Sequence, residues 1–168
     1  MFKVFSVLVS AVLVLLVPAT VAMAEQWTYE GGGVPIAYLD NGAAQFQFAC
    51  RGGDLAMGFW VRTPDRQVAG AAAMSLAITP DPTEGAGVSA TEGASFAQDM
   101  PLIHSDGTSM IVRGPVARQW ARIAQSAKKT IQVAYVRTGG GALEAFDINI
   151  FGAKGSSAAI KRVLDRCG

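Results

Sequence analysis

Most of the residues that enzymes use for chemistry are scarce in this chain. Its 168 residues include one histidine, His104, and two cysteines, Cys50 and Cys167. A histidine-rich zinc site is therefore excluded, and a cysteine-rich one would consume both thiols. No Gly-x-Ser-x-Gly elbow occurs, and Thr138-Gly139-Gly140-Gly141 lacks the Gly-Lys-Ser/Thr ending of a phosphate-binding loop. His104-Ser105-Asp106 holds the residue types of a hydrolase triad. Neighbours on one turn, however, do not let a base touch both a nucleophile and an orienting acid, so His104 reads as a solvated loop residue. Asp81 and Glu84 are separated by Pro82 and lack the alternating ligand series of a calcium loop. These patterns predict no catalytic residue, no metal site and no cofactor.

Long apolar runs are missing from all but the start. Residues 1–24 carry one early lysine, Lys3, a mostly apolar run from Val7 to Val17, and Ala22-Met23-Ala24 before Glu25. That order predicts an export signal with a small-x-small cleavage site. The run is too short to cross a bilayer, which takes about 20 residues. The expected product is residues 25–168, one β-rich domain, periplasmic or secreted, with no transmembrane segment after cleavage and nucleic acid an unsuited target.

An excess of one charge is absent too, since 14 Lys/Arg stand against 13 Asp/Glu. The signs are nevertheless separated along the chain. Glu25 to Asp106 holds 3 basic and 10 acidic residues, and Arg113 to Arg166 holds 10 basic and 3 acidic. Such asymmetry either marks a surface for an anionic partner or lets the two halves pack against each other.

The two cysteines of an exported chain meet oxidising conditions, so one Cys50–Cys167 disulfide is expected. Nothing resembles the Cys-x-x-Cys spacing of a redox-active pair. Closing so long a loop removes denatured-chain entropy equivalent to about 4–5 kcal/mol.

Apolar alternation predicts strands over most of the chain. Val34 to Leu39 and Ala43 to Cys50 flank Asp40-Asn41-Gly42, a hairpin turn whose residues tolerate positive φ. Leu55, Met57, Phe59 and Val61 share one face of a third strand, and Met74, Leu76 and Ile78 one face of a fourth that stops at Pro80-Asp81-Pro82. Thr83 to Ser95, rich in Gly, Ala, Ser, Thr and Glu without a clear period, reads as a surface loop or a weak edge strand. Asp106-Gly107 turns the chain between Met100 to His104 and Met110 to Arg113. Ile131 to Arg137 and Leu143 to Phe151 complete the set, with Phe146, Ile148 and Ile150 expected on one side.

Two segments change to helical period. In Pro115 to Lys129, Val116, Trp120, Ile123, Ala124 and Ala127 form one stripe and Arg118, Arg122, Lys128 and Lys129 lie off it or at its end. Near the C-terminus Ser156 or Ser157 is the expected cap of a helix that buries Ile160, Val163, Leu164 and Cys167. The fold class is then mainly β: an antiparallel sandwich or partly open barrel with one central and one C-terminal helix.

The tail Phe146-Asp147-Ile148-Asn149-Ile150-Phe151-Gly152, then Ser156 to Ile160, Val163-Leu164 and Cys167, resembles the ending of small exported bacterial two-cysteine β proteins. The invasion-associated locus B family and the periplasmic accessory proteins of type VI secretion are two such groups. The likeness lies in the C-terminal quarter, together with Cys50 closing an earlier strand. It implies architecture and compartment, and no catalytic residue.

Candidate contact residues follow from exposure patterns. Trp60 and Arg62 occupy the strand face opposite Leu55, Met57 and Phe59, where an aromatic and an arginine suit a binding surface or pack under the helix. Arg113, Arg118, Arg122, Lys128 and Lys129 form the densest basic group, able to engage an anionic envelope polymer or an acidic envelope protein, or simply to solvate the helix. Trp27 and Tyr29 are expected to anchor the first strand. The leading expectation is a non-catalytic envelope binding or accessory module. The alternative is a cell-wall or surface-polymer hydrolase working through acids such as Asp54, Asp99 or Glu144, recognisable by two facing carboxylates.

Overall fold

The structure is a computed structural model that describes residues 26–83, 95–139 and 142–167. In chain order its strands are β1 (Thr28–Glu30), β2 (Ile36–Asp40), β3 (Ala44–Arg51), β4 (Asp54–Val61), β5 (Ala73–Pro80), β6 (Ser95–Pro101), β7 (Ile103–His104), β8 (Thr108–Arg113), β9 (Thr130–Gly139) and β10 (Ala142–Gly152). Its helices are α1 (Arg66–Ala69), α2 (Gly114–Ser126) and α3 (Ser156–Leu164). The strands form two open antiparallel sheets, ordered β1-β2-β3-β4-β8-β7 and β10-β9-β5-β6. The sandwich reading therefore holds, and neither sheet closes into a barrel.

The first sheet grows from the meander visible in the sequence. At the β2–β3 turn Gly42 has φ 88°, Asp40 Oδ1 accepts the Gly42 N–H, and Asn41 Oδ1 accepts the N–H groups of Ala43 and Ala44. The turn pairs Leu39 with Phe46 and Ala37 with Phe48, so the apolar half of each strand lands on one face. Phe46, Phe48, Leu55, Met57 and Phe59 are buried there, each contributing about 2 kcal/mol of transfer free energy.

The inner face of the second sheet meets this one ring on ring. Phe46 and Phe151 lie 5.6 Å apart between centroids, Phe59 and Tyr135 5.1 Å. Helix α2 feeds Ala117, Trp120, Ala121 and Ala124 into the same core, and the Trp120 indole N–H donates to Ser95 Oγ at 3.1 Å. Helix α3 packs on β1, β2 and β3 and on α2. Its stripe ends at Cys167, whose disulfide to Cys50 has a Cα–Cα distance of 5.6 Å. Trp27 is buried against Phe46 and Phe48 and donates to Gly152 O at 2.9 Å. Tyr29 lies under the Arg162 guanidinium, 3.7 Å from the ring centroid.

Several expectations change. Phe146 is buried, but Ile148 and Ile150 are about half exposed. The register jumps from Phe146↔Tyr135 to Asn149↔Val133, and Asp147 at φ 47° forms the bulge that reverses the alternation. A second bulge, in the β5–β6 pairing, accompanies Asp99 at φ 48° in β6, a strand the sequence did not announce. Helix α2 ends at Ser126, leaving Lys128 and Lys129 outside it. The cause is Asp81: its carboxylate accepts the N–H groups of Lys128, Lys129 and Thr130, which pulls the chain out of helix and into β9. All four non-glycine residues with positive φ among the described residues are aspartates, Asp81, Asp99, Asp106 and Asp147, a residue type whose short polar side chain tolerates that region.

Helix α3 is preceded by Gly155 at φ 82° rather than capped by a serine hydroxyl. Ser156 lies within its first turn, and its Oγ is buried without a hydrogen-bond partner. His104 is exposed as expected, but it lies in the short strand β7 rather than in a loop, and its ring is tethered: Nε2 lies 2.8 Å from Ala71 O and Nδ1 3.0 Å from Thr108 Oγ1. Because a carbonyl only accepts, the neutral ring carries its proton on Nε2 and accepts from Thr108 on Nδ1. The expected loop or weak edge strand from Thr83 to Ser95 lies almost wholly outside the described residues.

Candidate binding face

The outward half of the alternation in the first sheet makes a continuous surface. Registers place Tyr38, Gln47, Gly58 and Ile111 in one row across β2, β3, β4 and β8. The adjoining row runs Asp40, Gln45, Trp60, Ser109 and Ile103. Helices α2 and α3 bury their apolar stripes in the core between the sheets, so neither of them covers this face.

A groove of about 240 Å³ crosses the two rows, lined by Gln45, Gln47, Gly58, Trp60, Ser109 and Ile111. Gly58 makes it possible. A Cβ there would stand 3.0 Å from Gln47 Nε2 and 3.2 Å from Gln47 Cγ, so the missing side chain is the gap that Gln47 leans over. Gln45 Nε2 donates to Gln47 Oε1 at 3.1 Å, which orients both amides.

Trp60 is held rather than loose. Its indole N–H donates to Asp106 O at 2.9 Å, and the Arg62 guanidinium lies 4.6 Å from the ring centroid. Arg62 in turn forms a two-pronged pair with Asp40 and donates to Gly42 O at 3.0 Å. The guanidinium keeps the Asp40 carboxyl below the usual carboxylate range. On the same face Tyr38 donates its hydroxyl to Glu30 at 2.7 Å, which pushes that phenol upward. Asp40, Arg62 and Glu30 are thus satisfied within the face, while Ile111 and Ile103 stay 38 % and 47 % exposed.

The basic group named from the sequence is dispersed. Arg113 ends β8 on the outward side, in the row of Ala56, Ala49 and Ile36. Arg118 is half-buried and donates to Cys167 O at 3.2 Å, so it fastens the C-terminal segment. Arg122 is exposed on α2, and Lys128 and Lys129 lie on the turn that Asp81 clamps. None of the three ion pairs among the described residues joins the acidic half of the chain to the basic half.

The three carboxylates nominated for hydrolysis do not converge. Asp54 starts β4 in the first sheet, whereas Asp99 and Glu144 sit in β6 and β10, the opposite edges of the second. Three strand spacings separate those edges, about 14 Å, beyond the roughly 6.5–9.5 Å of an inverting glycosidase pair. Glu144 is also paired with Arg137 at 2.9 Å. A hollow of about 460 Å³ lies beside Ser75, Asp99 and Arg137, and one of about 530 Å³ between β6 and β8 beside Phe96, Met100 and Val116. The carboxyl whose proton affinity burial does raise is Asp147, which accepts the Asp65 N–H at 3.0 Å and feels the Asp65 charge. No group of His, Cys, Asp and Glu among the described residues is arranged to hold a metal ion. None of the described helices is long and apolar enough to cross a membrane.

No known protein family, curated protein or solved structure matches this chain. Trp60 and Arg62 were legible from their strand parity, but Tyr38, Gln45, Gln47, Gly58 and Ile111 were missed. The signal was present: a glycine inside a strand marks a close approach or an opening, and the polar half of β3 is a pair of glutamines.

Proposed function

We propose that this protein is a non-catalytic binding or accessory module of the cell envelope, and that the outward face of its six-stranded sheet is the working surface. One observation carries the reading. The face bears a groove floored by Gly58 and walled by a tryptophan already immobilised from two sides. A rigid aromatic beside satisfied polar groups meets a ligand without losing much side-chain entropy. The Cys50–Cys167 disulfide favours an oxidising, exported setting, periplasmic or secreted. The resemblance of the tail to small exported two-cysteine β proteins agrees with that setting.

The competing location is the basic surface of α2 and its following turn, suited to an anionic envelope polymer. Binding of envelope polymers and envelope proteins by wild type, by Trp60→Ala and by a triple Arg122→Glu, Lys128→Glu, Lys129→Glu variant separates the two. Loss in Trp60→Ala with retention in the triple variant is the expected result. The reverse pattern moves the site to the helix and contradicts the proposal.

A further inference from the structure

The chemistry of the groove names its occupant. Its polar wall consists of uncharged groups, the Gln45 and Gln47 carboxamides and the Ser109 hydroxyl, and its apolar wall is Trp60 with Ile111. No charged side chain lines the groove; of the charges around it, Asp40 holds Arg62 and Glu30 accepts from Tyr38, while Arg113, one row beyond Ile111, forms no ion pair among the described residues. A ligand carrying charge would find no opposite charge waiting in the groove. A ligand with an apolar C–H face and hydroxyls around its edge meets both walls at once.

We infer that the groove binds an uncharged saccharide chain, one ring packing its C–H face against Trp60 above Gly58 while Gln45, Gln47 and Ser109 hydrogen-bond its hydroxyls. Each part answers a feature of the site. The volume of about 240 Å³ falls below the 300–1,000 Å³ of pockets that engulf drug-sized ligands, so it takes one unit of a longer chain and leaves neighbouring units outside. The groove is open at the sheet surface, which suits a polymer. Tyr38 stands two strands from Trp60, about 10 Å across the sheet, where the chain would continue. The carboxamides present both donors and acceptors, as a hydroxyl requires. This inference rests on the sheet-face reading given above.

The test uses the full chain oxidised at Cys50–Cys167. A panel of neutral oligosaccharides, chitohexaose, maltohexaose and cellohexaose, is titrated beside acidic polygalacturonate, following tryptophan fluorescence and calorimetric heat. Trp27 and Trp120 are buried, so a fluorescence change reports Trp60. The expected result is binding of at least one neutral probe, weakened about tenfold or more by Trp60→Ala. Gly58→Ala, whose added methyl meets the Gln47 side chain at Nε2 and Cγ and no backbone atom among the three nearest, is expected to weaken it as well. Arg122→Glu leaves it unchanged, and raising salt to 1 M has little effect because no charge is involved. Failure of every neutral probe to bind below about 1 mM overturns the inference. If polygalacturonate or an envelope protein binds instead and Trp60→Ala abolishes it, the saccharide assignment falls and the sheet-face reading stands. If binding of any probe ignores both Trp60→Ala and Gly58→Ala, both fall together.

Discussion

Replacing Asp81 should loosen the joint between the second sheet and α2. Its Oδ1 accepts from Lys129 N at 2.6 Å and Thr130 N at 3.0 Å, and its Oδ2 from Lys128 N at 2.9 Å. A hydrogen bond to a charged acceptor contributes about 1.5–3 kcal/mol when sheltered. Here three amides share one exposed carboxylate and regain water once released, so about 2–3 kcal/mol for the whole set in Asp81→Ala is the reasoned magnitude. In a domain of this size that lowers Tm by roughly 6–10 °C. Asp81→Asn keeps one acceptor and tolerance of φ 44° but loses the charge, so it should cost about 1 kcal/mol. Desolvation works against ionisation of Asp81, yet the three amides outweigh it and the carboxyl sits below its ordinary value. A depressed carboxyl stabilises the fold above the unfolded-state pKa near 4, and that contribution is lost as pH falls through the folded value. The gap between wild type and Asp81→Asn in urea midpoints should therefore be full at pH 7 and shrink between about pH 4 and pH 2. Equal midpoints at pH 7, or a gap that does not narrow on acidification, would refute the clamp.

Reduction of Cys50–Cys167, or Cys50→Ser with Cys167→Ser, should lower unfolding free energy by about 4–5 kcal/mol; free thiols in the unreduced protein, counted by mass spectrometry, would contradict the bond. Gly107→Ala should prevent normal folding, because a Cβ there falls 2.2 Å from Val61 O at φ 117°. Gly42→Ala, at φ 88° but with open space around it, should cost only about 1 kcal/mol; equal losses in circular-dichroism melts would sink that distinction. Trp120→Ala removes a fully buried indole from between the sheets and should cost about 3–5 kcal/mol, read from denaturant midpoints.

The sequence carried its fold wherever alternation was undisturbed. Phe46-Gln47-Phe48 and Leu55 to Val61 announced both their strands and their buried face, and Asp40-Asn41-Gly42 announced the turn between them. What stayed hidden was written in single aspartates. A period-2 pattern cannot foretell that Asp147 will take positive φ, so Ile148 and Ile150 were assigned to the wrong side. Helical periodicity likewise ran past Ser126, because the residue that ends α2 is Asp81, 47 positions from Lys128. The proposed binding face was half legible. Trp60 and Arg62 stood out by type, whereas Gln45, Gln47 and Gly58 gain meaning only once register aligns them across β3 and β4. For the basic group, helical position did not announce that Arg118 donates to the carbonyl of Cys167 or that Lys128 and Lys129 lie on the turn clamped by Asp81.

The most direct test of the account is a backbone amide map of the oxidised protein titrated with whichever envelope polymer or protein it binds most tightly. The account predicts that shifts concentrate on Gln45, Gln47, Gly58, Trp60 and Ile111, with the indole N–H of Trp60 among the largest. Shifts concentrated on Arg122, Lys128 and Lys129, with the sheet face silent, would contradict it.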